Sequence, residues 1–223
     1  MTDTPRSLPA CLYLLAWDTG EDRPAAAAGL GRLVRAGALA ELAWRGLLAD
    51  EDGVAVPTDP DAETGQDPLD GLLELVAESR PRTWQEWVGA HTGATRTAVR
   101  EALVAEGFLR ARGHRLLGLL PPGRHVLADP APVRSLRARA RAALCGPVPV
   151  AEVGHRAAAM TVLAVDAGLG TFATAGERAA HQDRTEALAA RGGEAGPALP
   201  GVFRELRAAV RAAAVTGAAA RGS

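Results

Sequence analysis

The run Thr92-Gly-Ala-Thr-Arg-Thr-Ala-Val-Arg-Glu-Ala-Leu-Val-Ala-Glu-Gly-Phe-Leu-Arg-Ala-Arg-Gly-His-Arg-Leu-Leu-Gly-Leu-Leu120 decides the fold class. From Arg96 to Glu106 it sets Val99, Leu103 and Val104 on one side at helical spacing, and Gly107 stops the helix. The period then changes. Phe-Leu-Arg-Ala-Arg and Arg-Leu-Leu-Gly-Leu-Leu read as two short apolar strands joined at Gly113-His114, and Pro121-Pro122-Gly123 ends them.

Upstream, the same mixture of helix and small hairpin continues. Thr83 caps a helix carrying Trp84 and Trp87, and Leu69 to Glu78 is a short helix ended by Arg80-Pro81. Leu47 to Val56 places two apolar runs about Glu-Asp-Gly, a hairpin signal. Pro24 to Arg45 is helical, with Leu30, Val34, Leu39, Leu42 and Trp44 near the 3.6 period and Pro24 suited to a first turn. Leu8 to Ala16 is apolar on nearly every side, a short buried helix or strand. Downstream, Val133 to Leu144 is a basic helix, and Val150 to Ala167, Ala175 to Arg191 and Val202 to Ala214 are Ala-rich helices. These elements predict a mainly α fold. A single helical domain spans 8–215 around a buried helix-bundle core, with one or two small β-hairpins and disordered ends at 1–7 and 216–223.

The 223 residues are 48% apolar, enough to bury a core, and the net charge is only -1, so any electrostatic function must come from charge distribution. No lysine occurs; every side-chain cation apart from histidine is arginine, a permanently charged fork suited to carboxylate or phosphate. Arg110, Arg112, Arg115, Arg124, Arg134, Arg137, Arg139 and Arg141 face one acid, Asp129, across their stretch. Asp50 to Glu78 holds acids and no arginine. The chain is split into a basic and an acidic zone. A solvated face, or pairing of the two zones, is the plain reading of such a split. The hairpin argues for more: Leu116, Leu117, Leu119 and Leu120 form an apolar tip flanked by Arg110, Arg112, Arg115 and Arg124, the combination an interfacial membrane site needs.

Other motifs lead nowhere. Gly168-Leu-Gly-Thr-Phe-Ala173 fits a dinucleotide pattern but stands too late in the chain for the sheet that motif requires. Asp59, Asp61 and Glu63 alternate like a calcium loop, yet Pro60 intrudes and the glycine is displaced to Gly65. The histidines have no ligand spacing, no serine sits in a nucleophile elbow, and Cys11 and Cys145 read as buried thiols of a reducing cytoplasm. Neither an enzyme, a metal nor a cofactor is expected. Trp84 to Leu120 also reads as a winged helix-turn-helix, with Arg96 and Arg100 entering the major groove and Arg112 and Arg115 on a wing. A third reading is a protein-interaction module that binds a partner through the acidic loop and the Trp-bearing helix.

Four segments, in order, resemble the Golgi phosphoprotein 3 family: Leu12-Tyr-Leu-Leu-Ala-Trp-Asp18, Leu33 to Leu48, Val99 to Leu109 with its hairpin, and the helix from Gly154-His-Arg-Ala-Ala-Ala-Met. The GC-biased composition suits a bacterial member. The resemblance implies a helical fold about a buried four-helix core, no catalytic activity, and a cytoplasmic protein peripherally associated with membrane. Its partner would be an anionic lipid, in the family phosphatidylinositol 4-phosphate. By position, Arg35 and Arg96 match two of the family's three pocket arginines. The pocket tryptophan falls at Ala26 and the third arginine at Gly93, which leaves Arg100, Arg110 and Arg112 to supply the missing charge. Leu116, Leu117, Leu119 and Leu120 match the hairpin that enters the membrane.

Overall fold

The computed structural model describes residues 4–5, 7–25, 27–59, 61–112, 125–194 and 199–222. Leu8–Leu15 forms α1, all eight residues buried, with Pro9 in its first turn, where no backbone donor is lost to the helix. Ser7 stands at the N-cap but its side chain caps nothing. A carboxylate from the next helix does so instead: the Leu8 N–H donates to Glu41 Oε2 at 2.5 Å. Glu41 is 1% exposed and also accepts from Arg45 at 2.7 Å and from both terminal nitrogens of Arg156 at 3.1 and 2.8 Å. A buried carboxylate costs several kcal/mol, roughly, unless it is paired and hydrogen-bonded in this way.

The chain leaves α1 through β1 (Trp17–Asp18), which pairs antiparallel with β2 (Arg23–Pro24). Sequence reading put Pro24 in the first turn of a helix; in the structure α2 (Ala27–Trp44) starts three residues later. The Asp18 carboxylate accepts from the Gly20 and Glu21 N–H groups, and Asp22 turns the chain at φ 50°. Proline, lacking a donor, is tolerated in such an edge strand.

α2 is the central helix, burying Leu30, Leu33, Val34, Leu39 and Leu42. It packs on α1, on α3 (Asp67–Glu78), α4 (Trp84–Gly89) and α5 (Thr92–Ala105), and on α7 (His155–Asp166) and α10 (Leu199–Gly222). Two glycines permit the closest approaches. A Cβ on Gly37 would stand 2.5 Å from Leu12 Cδ1 and 3.4 Å from the Pro9 backbone, and one on Gly31 would stand 2.9 Å from the Thr92 Cβ.

β3 (Leu48–Glu51) and β4 (Val54–Pro57) form the hairpin expected from Glu-Asp-Gly, with Asp52 and Gly53 both at positive φ, as a primed two-residue turn requires. Asp50 on this hairpin accepts from Trp84 Nε1 at 2.6 Å. The second hairpin differs from expectation. β5 (Leu109–Ala111) pairs with β6 (His125–Leu127) in the register Arg110 opposite Val126, and the apolar run expected as its partner lies outside the described residues. Val126 buries its side chain, and a further bond from the Ala128 N–H to the Phe108 carbonyl leads the chain directly into α6 (Ala131–Cys145).

The C-terminal helices also divide differently. The single helix expected over 175–191 is α8 (Ala175–Ala180) and α9 (Gln182–Gly193), broken at His181, while the last helix extends past both expected ends as α10. Buried Arg207 ties α10 to α7 and α9 through Asp166 at 2.7 Å and Glu186 at 2.8 Å. The result is mainly α, with three two-stranded hairpins among the described residues.

At the start of α8, Thr174 and Glu177 form a capping box, and Arg141 of α6 closes on the same carboxylate. The Thr174 N–H and then Arg141 hold the Glu177 carboxyl down at about 2, against an ordinary 4.5. Its contribution to stability is therefore complete above about pH 4.5 and is lost as the pH falls toward 2. Glu177→Gln keeps the cap but not the charge. Acid titration of the melting temperature should be shallower for E177Q than for the wild type in that window; parallel curves would show that the carboxylate adds nothing.

Candidate functional site

The corner where α2 passes beneath the start of α5 follows from a four-residue spacing. Gly31 and Arg35 lie one turn apart on the same face of α2. Gly31 lets Thr92 press against the helix, and this brings the His91 carbonyl to 2.7 Å from Arg35 Nη2. His91 precedes α5 in a left-handed conformation, φ 49°, and no side chain caps the helix.

Arg35 is 0% exposed. Its Nε and Nη1 have no partner among the described residues, and no carboxylate pairs with it there. Burial alone pulls its pKa down to about 10. A cation beneath a helix N-terminus is electrostatically misplaced, because the helix dipole already makes that end positive. Cation, dipole and uncapped first turn together favour an anion.

Arg96 leaves the second turn of α5 into solvent, and Arg100, half-buried one turn later, is only 3.9 Å from Glu101. Both guanidiniums act electrostatically on the Tyr13 hydroxyl, pulling against the burial that raises its pKa. Arg100 Nε has no partner among the described residues. Arg35 and Arg96 thus flank the start of α5, with Arg100 farther along it. Gly93, exposed in the first turn, offers open space: a Cβ there meets nothing within 4 Å.

Arg110 and Arg112 lie elsewhere, exposed on β5 and just past its end, where they share a groove with Asp22. Asp22 was missed in the sequence, since an acid in a polar turn carries no signal of what folds against it. Leu116, Leu117, Leu119 and Leu120, with Arg115, Arg124 and Ala26, lie outside the described residues. Part of the basic block is structural. Arg137 donates to the Trp17 carbonyl, Arg139 reaches Thr4 Oγ1 at 3.0 Å, and Arg141 pairs with Glu177.

The fold and this corner define a helical domain that presents a buried guanidinium, unpaired among the described residues, under one helix start, and separately an arginine-bearing hairpin. The chain belongs to the Golgi phosphoprotein 3 (GPP34) family, whose model matches residues 8–210. No curated protein matches it. Among the described residues no helix is long and apolar enough to cross a membrane.

Proposed function

We propose that the chain is a non-catalytic peripheral membrane protein that holds an anionic phosphate headgroup at the α2–α5 corner. Arg35 contributes from below, Arg96 from the rim, and the positive end of the α5 dipole from the side. One observation carries this reading: a fully buried guanidinium with two orphan donors and no carboxylate. Leaving a buried donor unsatisfied costs about 1–3 kcal/mol, which a bound phosphate would recover. Leu116 to Leu120, between β5 and β6 in the sequence, supply the apolar anchor. In the family the headgroup is that of phosphatidylinositol 4-phosphate. With Ala26 and Gly93 in place of a tryptophan and an arginine, this site recognises the phosphate more than the ring that bears it.

Flotation with neutral vesicles and with vesicles containing phosphatidylglycerol or phosphatidylinositol 4-phosphate, at low and high salt, tests the reading. Binding only to the anionic vesicles, weakened by salt, is the expected outcome. No binding to either anionic composition sinks it, and retardation of duplex DNA in its place would move the arginines to the winged-helix reading.

A further inference from the structure

A groove of about 440 Å³ lies between the β1–β2 turn and the β5–β6 hairpin, lined by Asp22, Arg110, Ala111, Arg112, Val126 and Leu127. It shares no lining residue with the Arg35 corner. Its charged lining has both signs. Arg110 on β5 and Arg112 just past its end both line the groove. Opposite them, Asp22 Oδ2 is 3.8 Å from Arg112 Nη1, with the two side chains 36% and 73% exposed. Arg110 makes no ion pair among the described residues, and Asp22 accepts no hydrogen bond there.

So long and exposed a pair contributes little to stability and is easily exchanged. What can replace it is constrained by charge. A simple anion between the arginines meets the Asp22 carboxylate at close range and must break its pair. A simple cation at Asp22 meets two guanidiniums. A ligand carrying a phosphate and a primary ammonium a few bonds apart satisfies all three groups at once: Arg110 and Arg112 donate to the phosphate, and the ammonium donates to Asp22.

We propose that this groove is a headgroup site for a primary-amine phospholipid, of which phosphoethanolamine is the simplest. The proposal rests on the membrane reading for its lipid but not for its chemistry. Choline is excluded in kind, since a quaternary ammonium has no N–H to donate to Asp22.

The test uses the full chain and vesicles of fixed phosphatidylglycerol content, with phosphatidylethanolamine or phosphatidylcholine as the remainder. The wild type should bind the ethanolamine vesicles about three- to fivefold more tightly, the ratio one exposed charge pair supplies. Asp22→Asn should reduce that ratio to about one, and Asp22→Glu should keep it above one. Equal affinity of the wild type for the two compositions overturns the proposal, and so does an ethanolamine preference that survives in D22N, because vesicle packing would then explain it. Should the wild type bind no vesicle, the membrane reading falls, and O-phosphoethanolamine decides the groove alone. Amide shifts at residues 22 and 110–112, absent with O-phosphocholine, would support the site; their absence would overturn it.

Discussion

Replacing Arg35 with methionine should make the protein more stable and weaken its binding to anionic vesicles. Both effects have one cause. The guanidinium is fully buried, two of its nitrogens have no acceptor, and burial lowers its pKa to about 10. Methionine fills a similar volume with no polar atoms to desolvate, and its adaptable chain suits an irregular gap. The bond lost, Nη2 to the His91 carbonyl, leaves an acceptor on an exposed residue that water can reach. Removing an unsatisfied buried cation should thus stabilise the chain by about 1–3 kcal/mol. In the same variant the vesicle dissociation constant should rise about tenfold or more, the effect of losing a charge-assisted bond to phosphate. Paired thermal melts and flotation decide the matter. A destabilised R35M that still binds vesicles would make Arg35 a structural residue and place the anion site elsewhere.

The second large effect runs the other way. Gly93 occupies the first turn of α5, exposed, with nothing within 4 Å of a Cβ built on it. Gly93→Arg adds a third cation to the corner without moving any neighbour. One cation near an anionic surface adds about 1 kcal/mol, so affinity should improve about fivefold and should depend more steeply on salt. Stability should change little. The gain of up to about 1 kcal/mol from replacing glycine in a helix is opposed by about 0.3–1 kcal/mol for a cation at the positive end of the dipole. Unaltered affinity in G93R would show that the headgroup does not sit over the start of α5.

Periodicity made much of this fold legible. The helix carrying Arg96 could be read from Val99, Leu103 and the stop at Gly107, and the β3–β4 hairpin from a single Asp-Gly pair. What periodicity does not record is which segment lies opposite. The strand facing Leu109 comes from residues 125–127, because a return strand must deliver the chain to α6. Apolar character alone favoured the closer leucines. The β1–β2 ribbon escaped notice for a similar reason: two residues per strand are too few for a period, and the turn is held by the Asp18 carboxylate rather than by an apolar pattern.

The site was legible in its residues and not in its geometry. Arg35 reads as a surface position, since arginine is rarely buried without a partner. Only the close approach at Gly31 puts it under another helix. Likewise the charge map counted Arg137, Arg139 and Arg141 as available, whereas the fold engages each with a partner more than thirty residues away in sequence. Among the other described residues of the block, Arg110, Arg112 and Arg134 stay exposed, a smaller set than the block suggested.

The first amide of a helix ordinarily exchanges its hydrogen with solvent early, since nothing within the helix protects it. At Leu8 that amide is held by Glu41 of α2, which Arg45, just past the end of α2, and Arg156 of α7 hold in turn. Its exchange therefore waits on the separation of three helices rather than on fraying of one. In a deuterium-labelling experiment this position, so close to the start of the chain, would report the opening of the whole core.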